Sequence, residues 1–180
     1  MKQRQLVNFC SSCLLTLSAL MVAVAGFSQT AATFQRAYIA DATGTEVSNN
    51  PGTVRIVEST GRIVAPPAIK DQQSCSDPKI SPNKRTAGWL ANFPNGSTSY
   101  DIPLVLVLYR NGKIVQTIAP GQMIHDWNFW KEEQVALSDG PTHGDFGPQF
   151  HLYDITTGRL LKEWNGEGGR PPDWGNGLRQ

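Results

Sequence analysis

The chain has little cysteine, little histidine and almost no surplus charge: 3 Cys, 3 His, and 16 Lys and Arg against 15 Asp and Glu in 180 residues. The charge balance excludes the basic stripe that steers a protein toward nucleic acid. No nucleic-acid partner is expected. P-loop, dinucleotide fingerprint, zinc-finger spacing and Gly-x-Ser-x-Gly element are all missing, so no cofactor is expected and no catalytic residue is assigned. No segment keeps a 3.6-residue apolar period, which argues against helices.

One apolar run stands out at the amino end. Lys2 and Arg4 precede an uncharged stretch from Leu14 to Phe27, rich in Leu, Ala, Val and Met. Ala23-Val24-Ala25 is a small-x-small cleavage pattern, with Gly26-Phe27-Ser28 as a second option. This reads as an export signal over residues 1–25, followed by a linker over 26–33. The run is short for a retained anchor, since spanning takes about 20 apolar residues. The expected address is periplasmic or extracellular, with no membrane span after cleavage.

Cleavage changes the arithmetic. Loss of Lys2 and Arg4 leaves 14 bases against 15 acids. Cys10 and Cys13 leave too, so Cys75 is the lone thiol and the domain must hold together by packing. About 155 residues suffice for one domain.

Gly and Pro punctuate short β-branched and aromatic runs, the signature of an all-β protein. Three hairpins resemble one another: Val54 to Val64 around Gly61, Leu104 to Ile118 around Asn111-Gly112, and Phe150 to Trp164 around Gly158. Asn-Gly is a strong hairpin signal. A second pair fits between them, Ile80 to Leu90 turning at 82–84 and Phe129 to Leu137 turning at 131–133. Units are therefore expected at about 34–64, 78–118 and 124–165, the first incomplete, with a flexible tail over 166–180. Four short strands per unit resemble a β-propeller blade. Ile80-Ser81-Pro82-Asn83-Lys84 is similar to the Ser-Pro-Asp-Gly turn of WD-repeat and Tol-type periplasmic blades. Leu152-Tyr153-Asp154-Ile155-Thr156-Thr157-Gly158-Arg159-Leu160 is similar to their outer hairpin. The chain also resembles small exported bacterial proteins of unassigned function with such blades; that resemblance implies no activity.

Closed propellers typically need four or more blades. Yet Leu104-Val105-Leu106-Val107-Leu108-Tyr109 is apolar throughout and needs cover on both faces. The expected architecture is about two four-stranded blades plus a partial third, stacked or sandwich-like and not closed. The open faces leave a copy of the same chain, or another exported protein, as partner.

Tight turns fall on one sheet edge and longer loops on the other. The loop edge collects His125, Asp126, His143, Asp145, His151, Tyr100 and Asp101, which form the candidate binding site. The His and Asp spacings match no specific metal set. The first expectation is an exported, non-catalytic interaction module. The alternative is a metal-dependent or hydrolytic enzyme at the His/Asp edge. A third reading is a carbohydrate binder using Trp127 and Trp130, which fails if both are buried. Trp174, in a Gly- and Pro-rich tail, either tucks onto the domain or serves as a docking peg.

Overall fold

A computed structural model describes residues 33–48, 52–96, 99–143, 149–166 and 169–178. The expected export signal over 1–25, and all of the linker but residue 33, lie outside the described residues. So does Asp145.

Among the described residues, eleven strands form three antiparallel sheets. The first holds β1 (Phe34–Ala40), β2 (Thr53–Glu58) and β3 (Ile63–Val64) in that order. The second holds β4 (Ser74–Ile80), β5 (Ala87–Phe93), β6 (Ile102–Arg110) and β7 (Lys113–Ile118). The third holds β8 (Met123–Trp130), β9 (Gln134–Gly140), β10 (Gln149–Asp154) and β11 (Leu160–Trp164). Each sheet is a plain meander, in which strands adjacent in sequence pair antiparallel side by side. The protein is all-β, with two four-stranded sheets and one of three, and it does not close into a barrel. Among the described residues, no helix is long and apolar enough to cross a membrane.

The turns explain the hairpins. Asn111 (φ 52°) and Gly112 (φ 79°) both adopt the left-handed conformation that a two-residue hairpin turn demands. Lys84 and Lys131 take it at the equivalent turns of β4–β5 and β8–β9. Phe34 N donates to Lys84 O at 2.7 Å, and Ile155 N donates to Glu133 O at 3.0 Å. Arg110 reaches from the β6–β7 turn to Glu133 at 2.9 Å. The tight turns thus share one edge of the stack.

The middle sheet is covered on both faces. Trp89, Val107 and Tyr109 pack against Phe34, Ile39, Val54 and Ile56 of the first sheet. Leu90, Leu106 and Leu108 pack against Ile124, Trp127, Phe129 and Leu137 of the third. Alternate residues of β6 therefore belong to different cores, which is why that strand shows no polar alternation.

The far face of the third sheet has its own cover. Residues Asp173–Gly175 form a 3-10 turn in which Trp174 is buried against Ala136, Phe150 and Leu152. Phe150 also stacks on Trp164, with ring centroids 5.2 Å apart. Part of the segment expected to be a flexible tail is thus structured, and Trp174 tucks onto the domain. Composition misled here: one indole anchors a Gly- and Pro-rich segment when an apolar face lies open to receive it. The cap does for the third sheet what terminal repeats do in other stacked architectures.

Candidate functional site

A cleft lies at the loop edge, between the first and second sheets. It encloses about 730 Å³ and is lined by β1, the loop after it, β4 and the loop before β6. Tyr100 stands 59% exposed on one wall. Tyr38 and Glu46 line the other, with Arg36 lying over the Tyr38 ring and ion-paired to Glu46. The floor is a hydrogen-bonded polar chain. Ser74 Oγ donates to Asp101 Oδ2 at 2.9 Å, Asn92 Nδ2 donates to Ser74 Oγ at 3.3 Å, and Ser76 Oγ donates to Asn92 Oδ1 at 3.0 Å. Ser74 and Asn92 are buried, and each finds its partner within the chain.

Tyr100 and Asp101 are the two candidates that this cleft brings together. The other described candidates, His125, Asp126, His143 and His151, lie outside its lining. Asp126 faces the second sheet, where its carboxylate lies 3.2 Å from Lys79 Nζ. The same ammonium lies 3.0 Å from Asp77 and donates to the Trp127 carbonyl. A bulge in β4 between Ser76 and Lys79 puts Asp77 at φ 48° and frees its carbonyl, which accepts the Trp127 indole N–H at 3.1 Å. This cluster is a clamp between two sheets.

The histidines separate. His125 sits at a bulge in β8, between Ile124 and Asp126, and its Nε2 lies 3.0 Å from where a Cβ on Gly140 would stand. Gly140 shares a sheet face with Ala136, the face under Trp174. His151 is on the opposite face. It stacks on Tyr153, with centroids 6.1 Å apart, and its Nε2 lies 2.9 Å from Asp139 Oδ1. Both residues are buried, yet neither ring nitrogen of His151 is aligned for a hydrogen bond with that oxygen. Burial raises the Tyr153 phenol above its ordinary range, and the Asp139 charge adds to this. His143 is exposed in the β9–β10 loop. Among the described residues, no three His, Cys, Asp or Glu side chains meet in a metal-ligating group.

Sequence reasoning missed Ser74, Asn92, Lys79 and Asp139. Ser74 lies before the expected start of its unit at 78, because β4 begins four residues earlier and runs through Pro78. Pro78 is tolerated there because β4 is an edge strand. Asp139 reads as a turn residue from its Asp-Gly-Pro context, but lies within β9 instead.

The tryptophans divide as well. Trp89 and Trp127 are fully buried core residues, whereas Trp130 and Trp164 are half-buried on the capped face of the third sheet. Cys75 is buried, with Gln72 Nε2 donating to its sulfur at 2.7 Å, and burial pushes its thiol up to about 11. In comparisons with known proteins, no family model and no curated protein matches this chain.

Proposed function

We propose that the protein is an exported, non-catalytic binding module that receives its partner in the loop-edge cleft between the first and second sheets. The blade-like meanders act as a rigid frame, and the loops at one edge do the recognising, as in proteins that resemble WD-repeat and Tol-type propellers. The observation that carries this reading is the cleft itself. An exposed Tyr100 lines the same cleft as Ser74, Asn92 and Asp101, whose groups are pre-ordered by their own hydrogen bonds. An aromatic anchor beside a preorganised polar floor is the composition that recognition surfaces favour.

A photo-crosslinking side chain at position 100 tests it in the native host. The expected result is one discrete adduct, absent when the probe stands at Lys113 on the opposite edge. Binding of the identified partner, once purified, should weaken at least tenfold in Tyr100→Ala. Equal adducts from both edges, or none, would reject the cleft. A reporter fused behind residues 1–25 that stays in the cytosol would reject export.

A second reading, an enzyme at the same edge, draws on Asp139 and His151. A buried carboxylate beside an imidazole is the pairing that orients a general base. It requires a substrate path to His151, and loss of a measurable activity in His151→Gln with the fold intact.

A further inference from the structure

We propose a second binding site, for a carboxylated sugar, on the capped face of the third sheet. It lies on a different sheet face from the loop-edge cleft and stands independently of that reading.

The 3-10 turn that carries Trp174 does not seal the face it covers. Between that turn and strands β8 to β11 remains a pocket of about 610 Å³. Its walls are Trp130, Leu161 and Trp174, with the Gln134 amide among them. Trp130 is half-buried, so part of its ring faces the pocket. Its partner across the β8–β9 ladder is Gln134, which places the amide beside the indole on the same sheet face.

The charge in the lining is positive on balance, two lysines against one aspartate. Lys131 and Lys162 both line it, and both are exposed. The left-handed turn at Lys131 (φ 56°) brings its ammonium to 6.0 Å from the Trp130 ring centroid. Among the described residues, neither lysine is ion-paired to a carboxylate of the chain. Asp173 is the one carboxylate in the lining.

Each feature answers one part of the same ligand. An indole face takes the C–H face of a pyranose. A side-chain amide can both donate to and accept from ring hydroxyls. Two ammonium groups with no ion-pair partner among the described residues take a carboxylate. A neutral sugar would use the first two and leave the lysines idle. A bare anion would use only the lysines. The combination fits a uronic-acid unit, and the volume admits a short oligomer.

Titration of the purified protein with trigalacturonic acid, followed by tryptophan fluorescence and calorimetry, tests the assignment. Saturable binding is expected, weakening as salt rises. The double variant Lys131→Gln/Lys162→Gln should bind at least tenfold more weakly. Both lysines are exposed, so this variant should keep the near-UV circular dichroism of the parent. The neutral trisaccharide maltotriose should also bind at least tenfold more weakly than the triuronate. The site is refuted if the triuronate shows no saturable binding up to about 10 mM. It is equally refuted if the lysine variant or maltotriose binds as well, or if inorganic phosphate alone binds as tightly.

Discussion

Gly88 and Trp127 meet face to face across the second and third sheets, and the absence of a side chain on Gly88 is what lets them. A Cβ there would lie 2.6 Å from Trp127 Cη2 and 2.9 Å from Leu108 Cδ2. The indole cannot retreat, because its N–H is held by the Asp77 carbonyl and its ring meets Phe129 in a T-shaped contact, centroids 5.2 Å apart. Gly88→Ala should therefore cost about 1–3 kcal/mol, the usual penalty for overpacking a filled core. Denaturant unfolding measures it, and a variant as stable as the parent would show that the sheets can slide apart.

The Lys79 clamp makes a second prediction. Its ammonium lies 3.2 Å from the buried carboxylate of Asp126. Lys79→Met should cost about 2–3 kcal/mol, less than a fully buried pair because Lys79 is partly exposed. Asp126→Asn in the same background should recover part of that loss, since it removes the buried carboxylate charge that the ammonium offset. No recovery would mean that Lys79 contributes through packing on Trp127 rather than through charge.

Acid should weaken the first sheet. Arg62 donates to both Glu58 oxygens, at 2.8 and 2.7 Å, and these bonds hold the carboxyl below its ordinary value of 4.5 against the opposing effect of burial. A depressed carboxylate stabilises the fold above its unfolded value, and that contribution is lost as pH falls through the folded value. Asp41 and Asp154 are lowered in the same direction, first by hydrogen bonds from Thr43 and Thr157 respectively. Stability should fall from about pH 5 toward pH 3, and Glu58→Gln should flatten that slope. Unfolding curves across the range decide it; an unchanged slope would remove Glu58 as a contributor.

Cys75 should be silent in the native protein. Its thiol is buried and held up at about 11, so little thiolate exists at pH 8. Alkylation by iodoacetamide should be slow in buffer and complete in denaturant, read by mass spectrometry. Fast native labelling would mean that the contact between the first and second sheets opens readily.

Much of the architecture was legible in the sequence because its determinants are local. Turn residues such as Asn111-Gly112 fix φ within a few residues, and strands between them need no distant information. The unbroken apolar run of β6 also announced that the middle sheet has two covered faces, since any wet face would have left polar alternation. Beyond that, parity fails wherever a bulge intervenes. His125 sits at one and so lands on the opposite face from His151, though both lie near one edge. The described candidates consequently divide: Tyr100 and Asp101 meet in the cleft, while Asp126 joins a clamp on Lys79, 47 residues away. Tertiary structure alone decided that pairing, the meeting of Asp139 with His151, and the docking of Trp174. The reason is the same each time: an apolar face or a buried charge is satisfied by whatever the packing brings near, and distance along the chain carries no record of it.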